Sequence, residues 1–230
     1  MRRANRLAFS ALLAAAALCV SLAACGGEES TSTTSTTSTS TSAAAGDGGR
    51  SCEEVPAAEP KDVKPKPSKQ QVNPGEDITA TVSTNCGDFE IALDTEVSPK
   101  TVSWFVQLVK QGVYDRTPFN RVVPNFLIQG GDLGGDNGYL LAEKPPVNTE
   151  YTRGTVAMAK TSAEPPGASR TQFFIVTAAD AGLPADYAVL GEVADGKSTI
   201  EAISAQADPA LGPDGGQPVT PVVVESIALS

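Results

Sequence analysis

The sequence reads Phe119-Asn-Arg-Val-Val-Pro-Asn-Phe-Leu-Ile-Gln-Gly-Gly-Asp132 in its most informative stretch. This pattern predicts a strand, a bend at Pro124 and a second strand that ends at a Gly-Gly turn. Arg121 is the only charged residue before Asp132 in this stretch, so its guanidinium needs polar partners. Gln129 is the neutral candidate, provided that strand twist brings the two side chains onto one face. The plain alternative is an arginine that extends its head group from a strand edge into water.

Two runs of alternating polar and apolar residues precede this stretch. Residues 78–82 and 89–93 flank the turn-forming sequence Asn85-Cys-Gly-Asp88, and together they predict a β-hairpin. Further short apolar runs follow between glycine- and proline-rich loops, and residues 222–229 predict a closing strand. The domain is therefore expected to be mostly β.

Two segments predict helices. Ser98 and Pro99 suit the N-cap and first helical position, and Gly112 ends a run whose apolar residues share one face. A second helix is predicted over residues 198–205. Short strands with two helices, the first of them between the second and third strands, predict an antiparallel barrel or sandwich capped by helices.

The N-terminus predicts a secretory signal. Three arginines precede an apolar stretch from Leu7 to Ala24, which is the usual order of a signal peptide. The stretch ends in Leu22-Ala-Ala-Cys25, which resembles the lipobox of bacterial lipoproteins. In that motif the cysteine is lipidated and becomes the first residue after cleavage, and the lipid holds the protein at the membrane. The alternative is an uncleaved spanning anchor, for which about 18 apolar residues are just long enough.

These breaks in composition divide the chain into three parts. Residues 1–24 are the predicted lipoprotein signal peptide, residues 25–76 the lipidated cysteine and a linker, and residues 77–230 the folded domain. Within the linker, an unbroken Ser/Thr run over residues 30–42 predicts a flexible stalk, and its glycosylation stays open. Residues 53–74 are rich in Lys, Pro and Glu and predict a stiffer, extended spacer. Together they are expected to hold the domain away from the membrane.

Composition excludes several classes of function. The chain carries 17 basic and 27 acidic residues, a formal net charge of -10. Such a surface repels phosphate backbones, and no basic stripe interrupts it, so nucleic-acid binding is not expected. The absence of histidine excludes His-based triads and most zinc sites. Neither a metal nor a cofactor is expected.

Two cysteines remain once Cys19 in the signal peptide and the lipidated Cys25 are set aside. Cys52 and Cys86 form an even pair in a chain that is expected to reach an oxidising compartment. A disulfide between them is the natural hypothesis, and it would join the end of the linker to the first hairpin. Two unrelated thiols are the alternative.

Residues 119–132 resemble the signature of the cyclophilin family, Phe-x-Arg-x-x-Pro-x-Phe-x-x-Gln-Gly-Gly-Asp. Three further blocks resemble the family in the same order: Arg153-Gly-Thr-Val-Ala-Met-Ala159, Ser169-Arg-Thr-Gln-Phe-Phe-Ile175 and residues 183–191. The blocks span about residues 78–229, the whole predicted domain. The resemblance implies a closed antiparallel eight-stranded barrel capped by two α-helices. It also implies peptidyl-prolyl cis-trans isomerase (rotamase) activity, which assists protein folding.

The same resemblance implies roles for nine residues. Arg121 corresponds to the catalytic arginine that acts on the prolyl amide, and Gln129 and Phe126 accompany it. The other six correspond to the walls and groove that bind proline-containing polypeptides: Leu127, Phe174, Leu183, Ala159, Gln172 and Tyr187. On composition alone, the apolar members would be ordinary core residues.

Four positions depart from the family pattern. Asn120 and Tyr187 stand where histidine is common, and Lys160 stands where an asparagine contacts substrate. Gly182 aligns with a tryptophan that contacts cyclosporin in many members. We therefore expect weak inhibition by cyclosporin, and Tyr187 is expected to reshape the proline pocket and lower activity.

The complete expectation is a secreted, extracytoplasmic isomerase, anchored to a bacterial membrane by lipid on Cys25 and monomeric. A catalytically weak peptide-binding or chaperone module on the same fold is the alternative, because fold alone does not settle activity. The glycine-rich run over residues 130–138 is neither a P-loop nor an EF-hand loop and predicts a surface loop.

Overall fold

The structure, a computed structural model, describes residues 51–134 and 138–230. The predicted signal peptide, Cys25 and the Ser/Thr run lie outside the described residues. The strands are β1 (Thr79–Thr84), β2 (Gly87–Leu93), β3 (Thr117–Val123), β4 (Leu127–Gly130), β5 (Leu141–Ala142), β6 (Thr155–Met158), β7 (Ala168–Ser169), β8 (Phe173–Val176), β9 (Val189–Asp195) and β10 (Val223–Leu229). The helices are α1 (Pro99–Lys110), α2 (Lys197–Ser204) and a 3-10 helix (Pro209–Asp214). Within the described ranges, no helix is long and apolar enough to cross a membrane.

Eight strands close into an antiparallel barrel in the order β1-β10-β3-β4-β8-β6-β9-β2. The β1–β2 hairpin turns at Asn85 and Cys86, since Thr84 pairs with Gly87. The predicted eight-stranded barrel with two α-helices is confirmed, and α1 follows β2 as expected. The small β5–β7 sheet and the 3-10 helix are additions that the sequence pattern did not predict.

An aromatic cluster fastens α1 to the barrel core. Phe105 of α1 is fully buried and contacts Tyr114 and Phe173, at ring-centroid distances of 5.1 and 6.3 Å. Phe119 of β3 meets Phe173 edge to face at 5.9 Å. Each such pair stabilises the core by about 0.5–1.5 kcal/mol beyond the area that it buries. The first helix is therefore part of the core rather than a surface appendage.

The N-terminus of α1 is capped by a residue that is distant in sequence. Ser98 occupies the N-cap position, but its side chain makes no capping bond, and its buried hydroxyl finds no partner among the described residues. Instead, the Glu143 carboxylate accepts hydrogen bonds from the backbone N–H groups of Lys100 (3.3 Å) and Thr101 (2.7 Å). The negative charge of the carboxylate also interacts favourably with the positive end of the helix dipole.

Residues 51–76, here called the N-terminal strap, pack against the domain. The Lys61 ammonium lies at the C-terminal end of α1, where it donates to the carbonyls of Gly112 (3.1 Å), Val113 (3.2 Å) and Asp115. These groups follow the last turn of α1, and a cation there is favoured by the helix dipole. The lysine thus links the strap to the end of the first helix.

Side chains of α1 also hold the strap backbone. The Gln107 amide accepts from the N–H of Ser68 (2.6 Å) and donates to the carbonyl of Gln70 (2.8 Å). An extended, proline-rich backbone makes no internal hydrogen bonds, so its polar groups are available to such partners. Within the predicted spacer, the backbone at Ser68 and Gln70 is therefore hydrogen-bonded to α1.

The strap is joined covalently to the first hairpin. Cys52 and Cys86 form a disulfide with an S–S distance of 2.02 Å and a sequence separation of 34 positions. Cys86 is 2 % exposed and packs in the main core. Asn85 makes two hydrogen bonds to Glu53 beside the disulfide. Its side-chain amide donates to the Glu53 backbone carbonyl (2.7 Å), and its backbone carbonyl accepts from the Glu53 N–H (2.8 Å).

Loss of the disulfide should destabilise the fold. For a loop of this length, the chain-entropy model predicts that Cys52→Ser lowers the free energy of unfolding by about 3–4 kcal/mol. Cys86 should stay buried as a small apolar residue. Denaturant titration of the purified protein measures the change, and a reductant should lower the stability of wild type but not that of the variant. Equal stability of wild type and variant would contradict the prediction.

Candidate active site

Alternate residues of each barrel strand point into the barrel or away from it, which gives an inner and an outer set of side chains. In β8, Phe173 belongs to the main core, whereas its neighbour Phe174 belongs to a second apolar cluster. In β4, Ile128 and Leu127 divide in the same way. Because β3, β4, β8 and β6 are consecutive neighbours in the barrel, their outer residues form one continuous surface.

The second cluster, here called the groove cluster, lies on this surface. Its buried members are Val123, Leu127, Tyr151, Ala157, Phe174 and Val176. Half-buried residues that pack against it are Phe126, Ala159, Ala178, Ala181, Leu183, Tyr187 and Val189. The cluster thus brings together six of the nine residues that the sequence singled out, from four separate segments of the chain. Tyr187 covers Phe174 edge to face, with ring centroids 5.4 Å apart.

The other three predicted residues lie at a polar edge of the groove cluster. Arg121 and Gln129 are direct partners across the β3–β4 ladder, as the sequence suggested. The two side chains nevertheless form their hydrogen bonds with other residues and not with each other. The Gln129 amide donates to the Gln172 side-chain oxygen at 2.6 Å, and the Gln172 carbonyl accepts from the Ala159 N–H at 2.9 Å. This chain of bonds links β4 to the end of β6.

Arg121 is held by the backbone at the end of the 3-10 helix. Its Nη2 donates to the carbonyl of Asp214 at 3.2 Å. The adjoining backbone pairs with β3, since the Val122 N–H donates to the Gly216 carbonyl at 2.8 Å. Gly215 makes this approach possible: its φ is 61°, and a Cβ there would collide with the backbone of Val122 and its neighbour. The arginine is therefore oriented by main chain rather than by an acidic side chain.

A cationic side chain borders the groove cluster on another side. The Lys160 ammonium lies over the Tyr187 ring, 5.4 Å from its centroid, in a cation–π contact. The following loop is braced by an ion pair of 2.7 Å between Arg170 and Glu164. Burial raises the pKa of Glu164, but hydrogen bonds from Thr161 and Arg170 outweigh it and hold that pKa below its ordinary value.

Sequence reasoning missed two contributors to this site. Tyr151 is a buried member of the groove cluster, and nothing in its sequence context separates it from an ordinary core tyrosine. The Asp214 carbonyl is a backbone atom, so its position follows from the loop and not from the residue type. Among the residues that the structure describes, no group of three or more His, Cys, Asp or Glu is arranged to hold a metal ion.

A separate cleft of about 510 Å³ lies beside α2 and shares one lining residue, Val176, with the groove cluster. Its rim carries both signs of charge, with Arg153 and Lys197 opposed by Glu192 and Glu201. None of the nine predicted residues lines it. The nine residues that the sequence singled out therefore lie at the groove cluster and its polar edge, and not in this cleft.

The closed barrel with an outer groove is the cyclophilin architecture, and solved structures share it. A crystal structure of a cyclophilin-type peptidyl-prolyl cis-trans isomerase from Cryptosporidium parvum has a TM-score of 0.60 and 24% identity, covering 67% of this chain and 98% of that one. A second structure of that protein, in the presence of the dipeptide Ala-Pro, has a TM-score of 0.58 and 25% identity, covering 66% and 98%.

Sequence comparison gives the same family. The model described as cyclophilin type peptidyl-prolyl cis-trans isomerase/CLD matches residues 79–229. The chain is 36% identical over 156 residues to peptidyl-prolyl cis-trans isomerase A of Dickeya dadantii, covering 63% of this chain and 80% of that protein. It is also 36% identical over 176 residues to the Mycobacterium tuberculosis isomerase A, covering 66% and 92%. This chain belongs to the cyclophilin-type family and is a peptidyl-prolyl cis-trans isomerase.

Gly215→Ala should impair isomerisation by moving the Asp214 carbonyl away from Arg121. We expect kcat/KM to fall by about fivefold or more, because displacements near 1 Å in a site are costly. Gly212→Ala is the matched control: Gly212 has a similar φ of 66°, but a Cβ there would meet nothing within 4 Å. That variant should retain activity within about twofold. Equal losses in both variants would show that backbone strain, not the contact with β3, is responsible.

Proposed function

We propose that Arg121 stabilises the twisted amide of an X-Pro bond while the groove cluster holds the proline ring. Rotation about this bond has a barrier of about 18–20 kcal/mol, because amide resonance must be lost. Unaided, it takes roughly 10–100 s. In the twisted state the prolyl nitrogen gains a lone pair. A guanidinium aimed at that nitrogen, or at the displaced carbonyl, stabilises the twisted state more than the planar one.

The position of Arg121 is the observation that carries this proposal. Its side chain is half-buried on the strand that borders the groove cluster. Among the described residues it makes one hydrogen bond, to the Asp214 carbonyl. A guanidinium has five N–H donors, so most remain for a substrate amide. Its charge is also permanent, and no proton transfer is needed.

The apolar part of the site supports proline as the group that is bound. Phe126, Leu183 and Tyr187 are half-buried, so their rings and methyl groups are partly accessible above the buried Leu127 and Phe174. A pyrrolidine ring has no N–H to satisfy and gains from burial against such a surface. The C. parvum relative was crystallised in the presence of Ala-Pro, which supports proline-containing polypeptides as the substrate class for this chain.

Replacement of the arginine should abolish most of the activity. For Arg121→Ala we expect the acceleration of an Ala-Pro peptide to fall about 10-fold or more, with circular dichroism unchanged. Arg121→Lys should restore little, because an ammonium cannot keep one fork bonded to Asp214 while another meets the substrate. Arg153→Ala, an exposed arginine at the separate cleft, is the control. Full activity of folded Arg121→Ala would refute the mechanism, and inactive folded wild type would favour a peptide-binding module.

We also propose that the isomerase acts outside the cytoplasm on exported proteins, anchored through lipid on Cys25. The signal-like N-terminus and the Leu-Ala-Ala-Cys motif support this. The Cys52–Cys86 disulfide supports it independently, since structural disulfides persist in oxidising compartments. The acidic chain would not bind an anionic membrane by charge, so its surface does not supply the attachment.

The anchor can be tested by a single substitution. Cys25→Ser removes the lipid acceptor, so wild type should incorporate labelled fatty acid and the variant should not. Cys19→Ser, within the apolar segment, is the control and should incorporate fatty acid as wild type does. Membrane-bound wild type that carries no labelled fatty acid would instead indicate an uncleaved spanning anchor.

A further inference from the structure

Tyr151 makes an unusual pair of hydrogen bonds to one residue of the groove. Its side chain is 1 % exposed. The hydroxyl donates to the carbonyl of Tyr187 at 2.6 Å and accepts from the N–H of the same residue at 3.0 Å. One hydroxyl thus satisfies both backbone groups of a groove residue that is 36 positions away in sequence.

The backbone of Tyr151 fixes the other end of the same segment. Its carbonyl accepts from the N–H of Ala181 at 2.9 Å. Residues 181–187 contain no helix or strand and carry two predicted walls of the proline pocket, Leu183 and Tyr187. Tyr151 therefore binds this irregular segment at both ends, through its carbonyl at Ala181 and through its hydroxyl at Tyr187.

Ring contacts complete the arrangement. The Tyr151 ring meets Tyr187 edge to face at 5.9 Å and lies 6.4 Å from Phe174. Tyr187 in turn covers Phe174 at 5.4 Å. The three rings contact one another pairwise, so a shift of Tyr187 would disturb the ring against which a proline is expected to pack.

We propose that Tyr151 is a positioning residue that sets the outer wall of the proline pocket by clamping residues 181–187. This rests on the proposed function of the groove cluster. Arg121 and Gln129 lie on β3 and β4 and do not depend on the clamp. The clamp therefore sets the affinity for the proline-containing peptide, whereas Arg121 and Gln129 act on the twisted amide.

The hydroxyl is suited to this task at neutral pH. Burial raises the pKa of Tyr151, against the opposing effect of the hydrogen bond with Tyr187, and the nearby Asp186 raises it further. A protonated hydroxyl both donates and accepts, as the two bonds require.

Tyr151→Phe tests the clamp, because it keeps the ring and removes only the hydroxyl. The expected result has two parts. The amide of Tyr187 should exchange its hydrogen faster, and the Kd and KM for an Ala-Pro peptide should rise about fivefold with kcat within about twofold, the pattern of lost uniform binding. Peptide Kd is measured by titration calorimetry, which does not depend on turnover.

Thr199→Val is the matched control. Thr199 is fully buried in α2, and its hydroxyl donates to the Asp88 carbonyl at 2.8 Å, away from the groove cluster. This variant should lose stability but keep wild-type Kd and KM when both are measured well below its melting temperature. Equal losses of binding in the two variants would reduce Tyr151 to a structural role and overturn the proposal.

Two other outcomes separate the clamp from the proposed function. Faster exchange at Tyr187 with unchanged Kd and KM would overturn the clamp while the isomerase mechanism stands. If Arg121→Ala retained full activity but Tyr151→Phe still weakened peptide binding, the clamp would stand and the mechanism assigned to Arg121 would fall.

Discussion

Closure of the barrel imposes the constraint on which the site depends, because one of the two alternating faces of each strand then packs in the closed interior and the other lies outside. The inner residues pack among the aromatic rings of the core, where Phe173 contacts three other rings. A close-packed interior shifts little, so the strand backbones cannot move independently. Their outer residues, Phe174 and Gln129 among them, are held in fixed positions by the packing on the other face. Preorganised groups of this kind need no rearrangement as the transition state forms.

This constraint also explains which parts of the molecule were predictable. Period-two and helical patterns are local, so they placed β1, α1 and β10 within about two residues of their observed bounds. Contacts between distant segments have no local pattern. The Glu143 carboxylate caps a helix 42 positions earlier, and Lys61 binds carbonyls more than 50 positions later. The roles of the nine candidate residues came from the family resemblance and not from periodicity. Neither the resemblance nor the periodicity identified Tyr151.

The strap shows how a segment of low apolar content can still be ordered. Proline restricts the unfolded chain, so less conformational entropy is lost when the segment takes a single path. Its N–H and carbonyl groups then bind the Gln107 side chain of α1, while Lys61 binds carbonyls that follow that helix. The disulfide at Cys52 fixes the start of the segment. Composition predicted an extended spacer and not these contacts, because composition reports how little apolar surface the segment has and says nothing about its polar partners.

Few titratable side chains line the site, and the proposed reaction requires no proton transfer. Breaking or forming a covalent bond would call for a nucleophile or a base, but rotation about an amide calls only for a charge that meets the twisted nitrogen. Arginine suits that role since its charge is permanent and its fork can keep one donor on the Asp214 carbonyl. An aspartate side chain in place of that carbonyl would offset the guanidinium charge, whereas a neutral carbonyl orients the group and, in the proposed mechanism, leaves its charge for the substrate. The main-chain tether is therefore the arrangement that a rotational barrier favours.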